Sequence, residues 1–359
     1  MFKLKYYSQF LLLILGLSTI FSTGCNSLYS WLAKSKTSIP ILLKTENASK
    51  EKLFEEVNRF AKVNSMKANV IINFENTSFA SVGISEKYRS ASGAIIIQRP
   101  SNLYLEVHAP IAGDVARMTS DGTKFRVAIL KDLSNGKNLK FIMGTNDADY
   151  SKLQQDLGRM DLGLDKSQQE QVSSFANIRP QHLTDATLVR PIDNSNTYTV
   201  STIFQEEDRE ISKDKKDKRF SRFLVGYYLL DEYKKSDNGD LTIARRFWFD
   251  RVGGIRLARQ QIFDAKGEIE TDVVYGQEGN LAENPEYINL PLKISVTRPK
   301  ERYKMSLTYQ PPVSIGKIYP GNVFVLQNAG DLPEVDLDKK LAEINGTQSD
   351  SNTAITNKQ

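Results

Sequence analysis

The stretch from Gly93 to Ile129 constrains the fold more than any other part of the chain, because it can be laid out only as consecutive strands joined by tight turns. Ile95 and Ile97 share one face of a period-two strand. The same period places the Arg99 side chain on that face, just before Pro100. Leu103, Leu105 and Val107 continue the apolar stripe, opposite Tyr104, Glu106 and His108. Asp121-Gly122 reads as a two-residue type I′ turn, which needs positive φ at both centres, and Phe125, Val127 and Ile129 alternate beyond it. These residues predict an antiparallel meander with one apolar face and a cation at its end.

The flanking sequence extends that pattern in both directions. From Ser49 to Val63, Leu53, Phe54, Val57, Phe60 and Ala61 recur at helical spacing with Ser49 as N-cap, and from Met66 the period switches to two for a long first strand. Later runs read as strands at Thr197 to Gln205, Phe220 to Tyr233, Leu241 to Asp250, Ile255 to Phe263, Ile269 to Tyr275, Leu290 to Val296 and Tyr303 to Tyr309. Asn238-Gly239, Gly253-Gly254 and Lys266-Gly267 supply turns between them, and Pro291 marks its strand as an edge. Phe249, with Phe247, Trp248, Tyr227 and Tyr228, reads as core and rim. About a dozen strands at hairpin spacing predict a mainly β protein with helices (α+β), built as a large curved antiparallel sheet or unclosed β-barrel.

Two stretches interrupt the strands. Between Asn146 and Val189 the alternation is lost. Leu153, Leu157, Met160, Leu162 and Leu164 lie there, and Pro180 to Val189 places Leu183, Ala186 and Leu188 on one stripe behind a proline suited to a first helical turn. These pieces read either as lid helices or as a surface excursion packed on the rim. The mixed charges of Glu206 to Arg219 read as a solvated hairpin loop, with a phosphate or lipid-headgroup patch as the alternative.

At the N-terminus Lys3 and Lys5 precede the apolar run Phe10 to Phe21, then Ser22, Thr23 and Gly24. Residues 1–24 therefore read as a secretory signal peptide. The only cysteine, Cys25, follows directly, and this arrangement resembles the lipobox of bacterial lipoproteins. The resemblance implies cleavage before Cys25, acylation of its sulfur and new amino group (palmitate-type chains), and, with Asn26 rather than Asp following, sorting to the outer membrane. Removing residues 1–24 from the 359 leaves 335, carrying 46 basic and 43 acidic residues, a net charge of +3. That balance argues against a nucleic-acid partner, and a single thiol forms no intrachain disulfide, so a hydrophobic core must hold the fold. Residues 25–47 read as a lipidated tether whose apolar groups touch either the membrane or the body. Residues 48–330 read as one domain, and 331–359 as a polar tail, disordered after a short helical piece.

An exported chain with an amphipathic helix, a first strand, a second strand ending in Gly93…Arg99-Pro100 and a hairpin carrying Ser120-Asp121-Gly122 resembles the LolA/LolB superfamily of bacterial lipoprotein carriers and receptors. The similarity is clearest from Ser49 to Ile129. It implies an unclosed antiparallel barrel whose concave apolar face is covered by helices and holds the acyl chains of lipoproteins or lipids. Ile95, Ile97, Leu103, Leu105, Val107, Phe125, Val127 and Phe249 are then the candidate cavity residues. It also implies a latch at Arg99, matching an arginine that holds the lid closed by hydrogen bonding. Read without the family, Arg99 either grips lid carbonyls with its rigid fork of donors or extends to water from a strand end. The partners implied are acyl chains, the outer membrane through the anchor, and a periplasmic carrier protein.

The remaining chemistry is sparse. His108 and His182 are the only histidines, and neither stands at metal spacing from the other or from Cys25, so no metal site, no cofactor and no Ser-His-Asp catalysis is expected. Gly-rich phosphate loops and paired cysteines are absent from the sequence. The reading is a non-enzymatic, membrane-anchored periplasmic protein that binds lipid or lipoprotein and takes part in lipoprotein localisation. A scaffold or stress-sensing envelope lipoprotein on the same fold is the alternative. In the first case Ile97, Leu105, Val127 and Phe249 line an open cavity; in the second they interdigitate with Leu157, Leu183 or Leu188.

Overall fold

The computed structural model describes residues 40–76, 86–87, 90–109, 113–130, 139–148, 150, 180–210, 220–236, 238–279, 281, 287 and 289–345. The signal segment, Cys25, the first lid piece with Leu157, and the tip of the charged run at 211–219 lie outside them. The chain divides into two compact units, one of Met1–Leu43 and Phe204–Val225, the other of Lys44–Ile203 and Gly226–Gln359.

In the smaller unit, β1 (Ile41–Leu42) runs parallel to the start of β10 (Phe220–Lys235), with Ile41 opposite Phe223 and Leu42 opposite Leu224. The segment expected to be tether thus already pairs with the sheet at residue 41. β9 (Thr197–Glu210) runs on through the first residues of the charged stretch, where a loop was expected. The reason is cross-strand charge pairing: Glu206 Oε1 meets Arg222 Nε at 2.8 Å, so this stretch is solvated and still strand.

The larger unit begins with α1 (Lys50–Ala61), capped by the Ser49 side chain, which accepts from Lys52 N. Leu53, Val57 and Phe60 form its buried stripe. There follow β2 (Ser65–Asn76), β3 (Glu86–Lys87), β4 (Ala91–Gln98), β5 (Asn102–Ala109), β6 (Gly113–Asp121), β7 (Lys124–Ile129) and β8 (Lys140–Thr145). Next come α2 (Pro180–Thr187), β11 (Leu241–Asp250), β12 (Arg256–Phe263), β13 (Ile269–Gly279), β14 (Leu290–Arg298), β15 (Tyr303–Ile315) and β16 (Glu334–Asp336). The strand order is β10-β11-β12-β13-β14-β15-β2-β4-β5-β6-β7-β8-β16, with β3 beside β2 and β9 beside β10. The order does not return on itself, so the sheet is unclosed. Two meanders meet where β15 pairs antiparallel with β2. Among the described strand pairs of this unit, only β8 with β16 is parallel.

Two local expectations need correction. Gly122 has φ +93°, but Asp121 does not share it, so no type I′ turn forms. Asp121 Oδ1 instead accepts from Thr123 N at 3.0 Å and Lys124 N at 2.8 Å, and the carboxylate takes over the closure that a second positive φ would have given. Pro291 lies on an interior strand, not an edge. It pairs with Glu278 of β13, while pairing with β15 begins only at Lys293, so its missing N–H falls where only one neighbour is present.

Beyond Asp331 the chain adds β16, whose Glu334 to Asp336 pair with Phe141 to Met143, and residues 337–345 are helical. Asp338 fixes this end to the sheet. Its Oδ2 accepts from the Thr145 hydroxyl at 2.7 Å, its Oδ1 from Thr145 N at 3.3 Å, and the Tyr150 hydroxyl also donates to it. Burial raises the Asp338 pKa, but the Tyr150 and Thr145 hydrogen bonds outweigh it and leave the carboxyl below its usual value. A depressed carboxylate contributes stability above its unfolded pKa and loses it as pH falls through the folded one. Docking of β16 should therefore hold at neutral pH and fail only below the ordinary carboxylate range. Asp338→Ala should release it at neutral pH, costing about 1–3 kcal/mol and exposing the amides of 334–336 to hydrogen exchange. Unchanged protection there would show that the helix packing alone holds the segment.

Candidate functional site

The eight candidate cavity residues are all buried, while Ile129, which continues the alternation of Phe125 and Val127, is only partly so. Ile95, Ile97, Leu103 and Phe249 have no exposed surface, Leu105, Phe125 and Val127 almost none, and Val107 is 8% exposed. Strand alternation puts them on one side of the sheet, because a period of two sends every second side chain to the same face. They share one continuous core cluster with Leu53, Val57 and Phe60 of α1 and with Leu183, Ala186, Leu188 and Val189. α2 lies against β4, β5, β6, β13 and β14, so it spans both meanders. The face is therefore occupied by the protein's own side chains. Leu183 and Leu188 interdigitate with it; Leu157 lies outside the described residues.

The chain leaving α2 is held by side chains from separate elements, one residue after another. Arg99, directly after β4, donates from Nη2 to the Val189 carbonyl. Arg245 of β11 donates from Nη1 to Arg190 O at 2.9 Å and from Nη2 to Pro191 O at 3.0 Å. Ile192 N donates to Asn58 Oδ1 of α1 at 3.0 Å, and Asp193 N to the Tyr198 hydroxyl at 3.0 Å. Residues 189–193 form a strap whose backbone is gripped at each position. Arg99 and Arg245 approach from the two meanders, and a planar fork is suited to taking successive carbonyls.

Charge around the strap is balanced but costly. Arg245 pairs through Nε with Glu232, whose side chain is 2% exposed, and Asn196 Nδ2 donates to Glu232 Oε1 at 2.6 Å. Asp185 of α2 binds Arg190 through both oxygens, at 2.9 and 2.7 Å. Burial raises the Asp185 pKa, opposed by Arg190, Arg245 and Arg99. Burial likewise lowers that of Arg99, with Asp185 acting against it. Tyr275 on β13 donates its hydroxyl to Ala186 O at 3.1 Å, so α2 is tied to the sheet inside the core as well as at its exit.

Arg245 escaped the sequence reading, although a signal was present: it stands two residues before Phe247 and four before Phe249, in phase with two fully buried rings. A second grouping was also missed. Hairpin pairing sets His108 opposite Asp114 and Glu106 opposite Arg117, bringing Glu106, His108 and Asp114 together. Their donor atoms lie within 4.8 Å of one another. Arg117 binds Glu106 at 2.8 Å and Asp114 at 2.7 Å, so a guanidinium already provides the positive charge there. His182 on α2 has Nε2 3.9 Å from Glu270 Oε1. Cys25 lies outside the described residues.

No protein-family model matches the sequence, and no curated protein matches it. Among solved structures the chain is similar to a LolA superfamily protein from Nitrosomonas europaea, with 10% identity and a TM-score of 0.38 over 78% of this chain and 99% of that one. It is also similar to a DUF1329 family protein from Desulfovibrio piger, with 10% identity and a TM-score of 0.37 over 76% of this chain and 95% of that one. A third is an outer membrane lipoprotein-sorting protein domain from Vibrio parahaemolyticus, with 10% identity and a TM-score of 0.30 over 76% and 94%.

Proposed function

We propose that this protein is a membrane-anchored envelope lipoprotein that binds acyl chains of lipids or lipoproteins on its helix-covered face, with Cys25 as the anchor and Arg99 as a latch on the cover. One observation carries the reading. The apolar face is covered by α2, whose exit strap is gripped by two guanidiniums through its backbone carbonyls. Bonds of that kind hold a cover in place without making it part of the sheet's hydrogen-bonded ladder. Displacing α2 exposes Ile95, Ile97, Leu103, Leu105 and their neighbours to a replacement hydrocarbon. Each methylene taken from water contributes about 0.8 kcal/mol, so one long chain offers on the order of 10 kcal/mol before ordering costs, enough to compete with α2 for the face. Sorting to the outer membrane and delivery by a periplasmic carrier complete this reading, motivated by the lipobox and Asn26.

Arg99→Leu tests the latch. A hydrogen bond from a charged donor is worth about 1.5–3 kcal/mol, so amide exchange across 183–189 should rise by roughly tenfold or more, and lipopeptide uptake should become faster. If both stayed at wild-type values, Arg99 would not be a latch. A second reading is favoured by the filled face itself: a scaffold whose core is permanently closed and whose rim meets another envelope protein. Native mass spectrometry of the chain purified from a bacterial envelope separates the two. A co-purifying acylated species supports the carrier reading. A bare mass with no uptake of added lipopeptide supports the scaffold.

A further inference from the structure

The smaller unit exposes more hydrocarbon than its size warrants. Nine large apolar side chains are exposed among the described residues, and three of them, Ile41 at 52%, Leu42 at 64% and Phe204 at 48%, belong to this unit. Its described part is only 40–43, 204–210 and 220–225. Single exposed apolar residues are ordinary, whereas a contiguous group marks a contact surface.

Strand pairing makes this group contiguous. β1 is held to β10 through its backbone, with Leu42 opposite Leu224 and Leu43 N donating to Leu224 O at 3.3 Å. Glu206 of β9 and Arg222 of β10 meet through their side chains, so those two share a face. Alternation puts Phe204 and Leu224 on that same face, and pairing adds Leu42. Leu42, Leu224 and Phe204 thus form one apolar row across three strands, while Ile41 and Phe223 form a shorter row on the other face. A strand packed on a core buries one of its two faces. β1 buries neither.

The chain leading into β1 identifies what meets this surface. Residues 26–40 join Cys25 to Ile41, and they include Tyr29, Trp31, Lys34 and Lys36 but no acidic residue. Such rings and lysines suit the headgroup region of a bilayer. Fifteen residues of flexible chain span roughly 20 Å, so an acyl anchor on Cys25 keeps β1 within reach of the lipid. A contact tethered this closely needs little affinity of its own. Glu206 to Arg219 carries six charges of each sign, so the contact is apolar rather than electrostatic.

We infer that β1, with the adjoining ends of β9 and β10, is a membrane-contact surface that lays Ile41, Leu42 and Phe204 into the interfacial region of the bilayer. The inference rests on the membrane-anchored reading and adds a second, protein-made contact to the anchor; acyl binding under α2 is not required for it.

The test uses the chain purified from a bacterial envelope and reconstituted in vesicles of phosphatidylethanolamine and phosphatidylglycerol. With Cys25 acylated, the thiol introduced by Leu42→Cys or by Ile318→Cys is the only free one and takes a fluorescent label. Ile318, 72% exposed and in the other unit, is the reference. Brominated lipids should remove most of the fluorescence at 42 and little at 318. In parallel, the unacylated mature chain, residues 25–359, is sedimented with the same vesicles. Its weak binding should survive about 0.5 M salt and fall about tenfold or more on Ile41→Ser with Leu42→Ser, both at exposed positions, while Ile318→Ser leaves it unchanged. Quenching at 42 no greater than at 318 overturns the surface, and an acylated mass at Cys25 then leaves the anchor standing. An unacylated Cys25 in the envelope protein overturns the anchor; vesicle binding of the mature chain that depends on Ile41 and Leu42 sustains the surface without it, and no binding overturns both. Binding abolished by salt overturns the apolar contact. A dimer in vesicle-free solution that Leu42→Ser dissociates overturns it in favour of an interface between two copies of the chain.

Discussion

Arg245→Ala should destabilise the chain by about 3–5 kcal/mol, the range for removing one partner of a buried ion pair and leaving the other charge uncompensated. Glu232, 2% exposed, would keep only Asn196 as a side-chain partner among the described residues, and the Arg190 and Pro191 carbonyls would lose these donors together. The urea midpoint should fall accordingly. Amides of 183–193 should exchange faster than the global loss of stability predicts, because the strap is freed in addition. Arg245→Lys separates the two effects. An ammonium can still face Glu232, but it lacks the planar fork that reaches two successive carbonyls, so much of the stability should return while fast exchange over the strap persists. Arg99→Leu combined with Arg245→Ala should cost less than the sum of the two, since either alone loosens the same strap. Strict additivity would mean that Arg99 and Arg245 hold independent elements and that no common cover exists.

How far the site could be read in advance depended on whether its signal was local. Ile95, Ile97 and Arg99 share a strand face by simple alternation, and Leu103, Leu105 and Val107 do the same on the next strand, so the inner face was legible residue by residue. The helix at Ser49 and the one at Pro180 were legible for the same reason: spacing and capping act within a few residues. Arg245 obeyed the same alternation with Phe247 and Phe249 yet went unremarked, because an adjacent arginine, Arg246, dilutes its apparent phase. The structure separates them: Arg246 pairs with Asp231, while Arg245 turns to Glu232 and the strap.

Non-local pairing was the illegible part. Nothing in the sequence near β2 says that β15 will lie beside it, or that β16 will add parallel to β8, because these contacts join segments far apart in the chain. The same limit hid the group of Glu106, His108, Asp114 and Arg117, which exists only once the β5–β6 register is fixed. Asp121 shows a finer failure: the residue pair predicted a turn correctly, but the side chain rather than the backbone supplied its closure.

Gly93→Ala should be as damaging as the loss of Arg245, although it adds a single carbon. Gly93 sits between Val70 of β2 and Val107 of β5, and a Cβ placed there falls 2.2 Å from Glu106 O and 3.0 Å from Ile72 Cδ1. Ile72 can rotate away, but Glu106 O belongs to the backbone of a paired strand, so relief requires β5 to move away from β4. Overpacking of a rigid core typically costs about 1–3 kcal/mol, and displacement of a ladder belongs at or beyond the upper end of that range. The control is Gly276→Ala on β13, also a strand glycine without a positive φ, where nothing lies within 4 Å of the added carbon. There alanine should be within about 1 kcal/mol of wild type and even stabilising, since it lowers the freedom of the unfolded chain. Comparable losses at both positions would mean that glycine's effect in these strands is one of backbone entropy. A large loss confined to Gly93 would show that the inner face is built on the close approach of β4 and β5 at this position.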